Sequence, residues 1–284
     1  MFVMVTIIDG KKIAYEILSD LRLKLKALSF QPRLIVILVG QNPASVAYIK
    51  MKKKRGEEIG LTVQVENYPD TISEGDLRKE IQSFNSQKDV CGILVQLPLP
   101  GHLDKRVILD TVLPELDVDS LTSVNKQSLL SGSSFFSPPA AAAIIKILEY
   151  YKIDLARSKI LTIGTGDLVG KPLGAIFRGR NLSFESADSD TKDLQNLSLQ
   201  ADIIITGVGK PNLVTGDMVK EGAVVIDAGT TGSDTGDIVG DIDFESVSKK
   251  ASFVAGVPGG VGPVTIAMLF QNVVQSAMRR SARI

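Results

Sequence analysis

Apolar positions along the chain switch between a helical and an extended period. Over residues 11–28, Ile13, Ile17, Leu18, Leu21, Leu25 and Leu28 recur at helical spacing and predict a long amphipathic helix. Pro32 breaks the pattern. RLIVILVG (33–40) is then almost continuously apolar and stops at Gly40, as a strand buried on both faces would. Residues 43–59 predict a second helix, opened by Pro43 and closed by Gly60. LTVQVENY (61–68) alternates like a strand, 73–84 reads as a helix capped by Ser73 and Asp76, and VCGILVQL (90–97) is another buried strand. This β-α-β-α-β series predicts an α/β domain with a parallel sheet. After Pro100 the pattern loosens. A short helix is expected near 103–110, and the stretch from PELDVDSL to Pro139 has no clean period.

A helix over 139–151 leads into a second α/β series. Its strands are KILTIG (159–164), NLSFE (181–185), ADIIITGVG (201–209), AVVIDAG (223–229) and SFVAG (252–256). A helix over 169–177 follows the first of them, and one with an apolar stripe over 263–278 closes the chain. The expected fold class is α/β, with two lobes of parallel sheet, the second Rossmann-like, separated by a ligand cleft. The expected boundaries are 1–137, completed by the C-terminal helix 263–284, and 138–262. Length agrees, since 284 residues at about 150 per domain make close to two.

Composition narrows the classes. Hydrophobic residues at 44% and charged residues at 23% are globular values. Thirty-two basic and 32 acidic residues cancel, so no basic field exists to attract a nucleic-acid backbone. The single cysteine excludes an intramolecular disulfide framework and a multi-cysteine metal site, and no metal is expected. The apolar opening MFVMVTII ends after eight residues without signal-peptide flanks, and reads as a short edge strand or tucked terminus. No apolar run approaches the roughly 20 residues of a membrane helix, so a soluble cytoplasmic protein is expected.

The most readable chemistry is IGTGDLVG (163–170), which follows a strand and opens a helix. Gly164 permits a tight turn, Gly166 a close backbone approach to a pyrophosphate, and Gly170 close helix–sheet packing. Thr165 lies within the same turn. The spacing, GxGxxxG, is a variant of the dinucleotide fingerprint, and a purely structural turn is the alternative. Glu185, expected at the end of the next strand, would accept hydrogen bonds from a ribose diol and repel a 2′-phosphate. With Asp188 and Asp190 it favours NAD over NADP. Gly207 and Gly209 follow another strand, where backbone can pass a nicotinamide or merely turn. Gly229 and Thr230 occupy the same kind of position.

A second group of residues suggests a substrate site. Tyr48 and Lys52 share one helix face, four residues apart, and a partly desolvated lysine can serve in proton transfer. Lys52 also belongs to a run with Lys50, Lys53, Lys54 and Arg55, for which solvent exposure is the ordinary account. Gln96 is a polar residue in the apolar run GILVQLPLP and needs a partner if buried. Either Asp117 or Asp119 can bind an amino-pyrimidine edge, or both can face solvent. The turn GGVGPVT (259–265) either wraps a ligand or links. His102 and Cys91 are read as structural.

Together these segments resemble the bifunctional methylenetetrahydrofolate dehydrogenase/cyclohydrolase family. The resemblance runs through NPASVAYIKMKKKRGEEIGL, GILVQLPLPGHLD, PELDVDSL, TIGTGDLVGKPLG, ADIIITGVGKPNLV, VVIDAGT and VPGGVGPVTIAML. It implies hydride transfer between 5,10-methylenetetrahydrofolate and NAD(P), then hydrolysis of the methenyl form to 10-formyltetrahydrofolate. One-carbon metabolism, purine biosynthesis and a homodimer formed through the nucleotide domain are implied with it. By matching position, Lys52 resembles the catalytic lysine, Tyr48 the assisting tyrosine, Gln96 the glutamine that tunes the lysine, and Asp119 the aspartate that grips the pterin. Leu97, Pro98, Gly259, Gly260 and Pro263 fall in segments that border the folate.

The chain departs from the family pattern at its nucleotide end. Thr165 and Gly166 stand where Arg-Ser is usual for binding a 2′-phosphate. The Pro-Cys-Thr-Pro-x-Gly stretch reads PPAAAA (138–143), Ser120 replaces a glycine, and Ala255-Gly256 replaces Thr-Pro. The folate half is better kept, which leaves open a cyclohydrolase alone or a non-catalytic folate-binding relative. An NAD-dependent oxidoreductase acting on a small keto or amino acid, or a non-enzymatic dimeric scaffold, are the dissimilar alternatives.

Overall fold

The computed structural model describes residues 5–232 and 238–282; the first four residues of the apolar opening and the last two of the expected final helix lie outside them. In chain order the elements are β1 (Thr6–Ile7), α1 (Gly10–Lys26), β2 (Arg33–Val39), α2 (Pro43–Ile59), β3 (Thr62–Tyr68), α3 (Glu74–Asn85), β4 (Val90–Val95), α4 (Lys105–Asp110), α5 (Ser123–Leu130) and α6 (Pro139–Tyr150). Then come β5 (Ile160–Ile163), α7 (Gly170–Gly179), β6 (Phe184–Ala187), α8 (Leu194–Gln200), β7 (Ile203–Thr206), β8 (Val224–Asp227), β9 (Thr231–Gly232), β10 (Ile238–Val239), α9 (Phe244–Ser248), β11 (Phe253–Ala255) and α10 (Val261–Ser281). The chain divides into two compact units. One comprises residues 15–139 and 266–284, the other residues 1–14 and 140–265.

The first unit carries a three-stranded parallel sheet in the order β3-β2-β4. Its central strand β2 is buried along nearly its whole length, which accounts for the unbroken apolar run. α2 is closed at both ends by local chemistry. The Asn42 side chain accepts the Ser45 N–H at 3.1 Å, Pro43 opens the first turn, and Gly60 turns out at φ +85°. Leu77, Ile81 and Phe84 bury the inner face of α3 in a core shared with Ile35, Ile37 and Ile93. The latter part of α10 belongs to this unit. Asn272 Nδ2 donates to Val118 O and Ser137 O, both at 2.9 Å. A Cβ on Gly92 would lie 3.1 Å from Val273 Cγ2 and 2.8 Å from Val118 Cγ1, so the glycine admits helix and loop together.

The second unit carries a six-stranded parallel sheet in the order β1-β11-β8-β7-β5-β6, with β9 and β10 forming a small antiparallel ribbon. Its chain order reverses between β5 and β7, the arrangement of a Rossmann-like sheet. β1 pairs in parallel with β11, Thr6 opposite Phe253. The expected boundary at residue 1 of the first domain is therefore corrected. A two-residue strand has no sheet of its own and takes its hydrogen bonds from the edge that β11 offers. The strand expected at 181–185 is observed as Phe184–Ala187, and the helix expected from residue 169 starts at Gly170. α5, α8 and α9 were not expected. They are five to eight residues long, too short to show an apolar period, and α5 and α8 are capped by the side chains of Thr122 and Asp193.

Candidate active site

In the three-stranded unit the chain order reverses at β2, and residues that follow β2 and β4 gather at the C-terminal edge of the sheet. Gln96 comes directly after β4, its N–H bonded to Ile37 O at 2.9 Å. Lys52 lies in the third turn of α2, and its Nζ donates to Gln96 Oε1 at 3.0 Å. Gln96 Nε2 donates to Leu97 O at 2.9 Å, which sets the direction of the amide. The polar residue that interrupts the apolar strand thus has partners for both ends of its side chain. Lys53, Lys54 and Arg55 are exposed, whereas Lys52 and Tyr48, one turn earlier on the same face, are half-buried.

Asp117 and Asp119 take different roles. Segment 116–118 runs beside β4, with the Ile93 N–H bonded to Leu116 O at 2.7 Å. Asp117 is 4% exposed, and its carboxylate accepts Leu121 N–H at 3.1 Å, Thr122 N–H at 2.8 Å and Asn125 Nδ2 at 2.9 Å. It is consumed in holding its own loop. Asp119 lies one residue past Val118, before Ser120 at φ +58°, and its carboxyl feels the charge of Lys52. Burial pushes that carboxyl up to about 6; Lys52 pulls it down and Asp117 adds to the rise. Burial also holds the Lys52 amine below its ordinary range, and the charge of Asp119 works against that effect. A half-buried amine with a lowered proton affinity, an amide oxygen on it and a carboxyl coupled to it can accept and return a proton more readily than a free lysine.

Leu97 and Pro98, which follow Gln96, belong to the same unit; the Leu97–Pro98 peptide is cis. Gly259, Gly260 and Pro263 belong to the six-stranded unit. A Cβ on Gly10 would lie 1.8 Å from Gly260 O, so this turn packs directly on the start of α1.

The glycine turn of the six-stranded unit sits at the reversal between β5 and β7. Gly164 has φ +105°, open to glycine, and a Cβ there would lie 3.0 Å from Gly207 O. A Cβ on Gly170 would lie 1.9 Å from Gly164 O, so the first residue of α7 must be glycine for the helix to abut the turn. Nothing lies within 4 Å of a Cβ built on Gly166, and Thr165 and Gly166 are exposed. The backbone of this turn therefore opens outward from a helix N-terminus, a cradle that fits a dinucleotide pyrophosphate. Gly207 is constrained as well, because a Cβ would meet Val169 at 3.1 Å; Gly209 has φ +75°, and Thr230 is exposed beside it.

One expectation is corrected here. Glu185 is the second residue of β6, opposite Leu161, and does not end the strand. The acid at the C-terminal edge is Asp188, next to Ala187, whose carbonyl accepts the Gly164 N–H at 2.8 Å. The difference arises because β6 pairs with β5 through Ala187, a register that an isolated five-residue pattern does not reveal. Sequence reading also passed over Asp227 and Asp241, both buried at this edge of the sheet. Asp227 ends the apolar run VVID, the same signal that singles out Gln96; Asp241 carries no local signal.

A Rossmann-like sheet with a glycine turn at its reversal is the architecture of a nucleotide-dependent dehydrogenase, and the same chain carries the Lys52–Gln96 pair beside a raised carboxyl. The family models are specific. The catalytic-domain model of tetrahydrofolate dehydrogenase/cyclohydrolase matches residues 8–119, and that family's NAD(P)-binding-domain model matches 138–281. The chain belongs to the tetrahydrofolate dehydrogenase/cyclohydrolase family. It is 43% identical over 275 residues to the bifunctional protein FolD of Nautilia profundicola, covering 96% of this chain and 97% of that one. The crystal structure of the bifunctional FolD dehydrogenase/cyclohydrolase from Campylobacter jejuni superposes with a TM-score of 0.93 at 41% identity, over 97% of this chain and 99% of that one. The Trypanosoma brucei enzyme, solved with NADP cofactor and an inhibitor, gives 0.93 at 30% identity over 99% of each chain.

Proposed function

We propose that the chain interconverts 5,10-methylenetetrahydrofolate and 5,10-methenyltetrahydrofolate by hydride transfer with NAD(P), and hydrolyses the methenyl form to 10-formyltetrahydrofolate. The observation that carries this reading is the 3.0 Å hydrogen bond from Lys52 Nζ to Gln96 Oε1 beside the raised carboxyl of Asp119. A bound dinucleotide supplies the hydride acceptor. The chain's own residues bind and move protons. Asp119 accepts hydrogen bonds from the amino-pyrimidine edge of the pterin. Lys52, with its amine held below the ordinary range, takes the proton of the water that attacks the methenyl carbon. Gln96 fixes the direction of that amine, and Tyr48 packs one turn away. Gly164, Thr165, Gly166 and Gly170 hold the pyrophosphate at the start of α7, and Gly207, Gly209 and Thr230 border the nicotinamide half. Leu97 and Pro98 border the folate.

NAD is the favoured dinucleotide. Thr165 and Gly166 offer no cation for a 2′-phosphate, and Asp188, at the strand end nearest the turn, would repel one. An absorbance assay with 5,10-methylenetetrahydrofolate and each dinucleotide tests both parts. Methenyl product with NAD at least as fast as with NADP is expected. A clear NADP preference refutes the charge argument, and no product with either refutes the dehydrogenase reading. A homodimer formed through the six-stranded unit accords with β6 standing at a sheet edge, where its outer backbone groups can receive a second copy. Light scattering on the purified chain tests it, a monomeric mass being the refuting result.

A further inference from the structure

Two carboxylates outside the glycine turn meet at the C-terminal edge of the six-stranded sheet. Asp227 ends β8 and Asp241 follows β10, and both are 0% exposed. Asp241 Oδ2 accepts from Thr206 Oγ1 at 2.6 Å and from the Val208 N–H at 2.7 Å, while Oδ1 accepts from the Lys210 N–H at 2.8 Å. All three donors belong to the segment leaving β7. Asp227 accepts from the Gly229 N–H at 2.9 Å and, across to the segment of Asp241, from the Ile242 N–H at 3.1 Å. Ile242 is itself held by a bridge to Val214.

The pair is interlocked. A Cβ on Gly229 would lie 2.1 Å from Asp241 Oδ1, and a Cβ on Gly240 would lie 2.0 Å from Asp227 Oδ2. Two like-charged acids buried together are an expensive way to fill space, and the charge of Asp241 adds to the burial that pushes Asp227 up to about 6. What a carboxylate supplies, and an apolar side chain does not, is acceptor capacity for several converging donors. Here that capacity holds residues 206–210 in one conformation, which includes Gly209 at φ +75° with its carbonyl accepting from Thr231 Oγ1 at 2.8 Å.

We infer that Asp241 is a positioning residue for the dinucleotide. It sets the backbone of residues 207–209, and Asp227 in turn secures the segment that carries it. The inference rests on the reading that this loop borders the cofactor. Asp241→Asn keeps the shape but leaves one oxygen for three donors. The expected result is a dinucleotide KM raised about tenfold or more, the worth of a lost hydrogen bond to a charged group. The folate KM, and hydrolysis of the methenyl substrate, which uses no dinucleotide, should stay within about twofold. Equal loss of both activities means a merely structural role and overturns the inference. Thr206→Val removes one donor at constant shape and should raise the dinucleotide KM about threefold. If Asp241→Asn does not fold, Thr206→Val decides, an unchanged dinucleotide KM being the overturning result. Gly209→Ala strains the loop directly. A raised KM in Gly209→Ala with none in Asp241→Asn sinks the role of Asp241 and keeps the loop reading. No change in either variant removes the loop reading and the inference with it.

Discussion

Replacing Asp119 by asparagine should make the protein more stable and less active. The carboxyl is held in a site that disfavours its charge, chiefly by burial, and its proton affinity rises from the ordinary 3.8 to about 6 despite the attraction of Lys52. At about 1.4 kcal/mol for each tenfold change in proton affinity, ionised Asp119 costs the native state about 3 kcal/mol above pH 6. The sign follows from the raised value. The native state binds this proton more tightly than the unfolded chain, so the stability it contributes is complete below about pH 4 and is lost as the pH rises through about 6. Asparagine copies the neutral form and keeps its stability at every pH. Asp119→Asn should therefore unfold roughly 6–12 °C above wild type at pH 7.5. The gap should close as the pH falls toward 4. Thermal unfolding followed by circular dichroism at pH 4, 5, 6 and 7.5 measures it, and a methenyl hydrolysis assay on the same samples should show a loss of about tenfold or more. A variant no more stable than wild type at pH 7.5, or equally more stable at pH 4, would refute the argument that burial of this charge is maintained at the expense of stability.

Lys52→Met should abolish methenyl hydrolysis while the chain remains folded, and undiminished turnover would remove Lys52 from the mechanism. In the same variant the Asp119 carboxyl should titrate above about 6, because the Lys52 charge that pulls it down is gone; carbon NMR of the carboxyl checks the direction. Gly170→Ala places a Cβ 1.9 Å from the backbone carbonyl oxygen of Gly164, and should cost about 3 kcal/mol and weaken dinucleotide binding. Denaturant unfolding and a dinucleotide titration test this, and a neutral result would mean that α7 can slide on the turn.

Much of the architecture was legible because it rests on local rules. The buried strand β2, the capped helix α2 and the glycine turn before α7 announce themselves through apolar runs, Asn42-Pro43, Gly60 and the spacing of Gly164 and Gly170. Lys52 was harder to separate from its basic neighbours, since helical spacing places it on a face but not against Gln96. The two aspartates of DVD were indistinguishable in sequence. Only the run of 116–118 beside β4 turns Asp117 into its own loop and leaves Asp119 near the lysine.

By itself the sequence determined the longer helices and the buried strands, the two α/β series and the family, because side-chain periodicity, caps and glycine spacing act within a few residues. Tertiary structure alone decided that β1 joins the sheet of β11, that Asp188 and not Glu185 is the acid that follows the end of β6 at the glycine turn, and that Asp241 reaches back 35 residues to Thr206. Those outcomes depend on strand register and on which buried acceptor finds which donor. Neither is encoded in a local pattern, because pairing energy is realised only when distant segments meet.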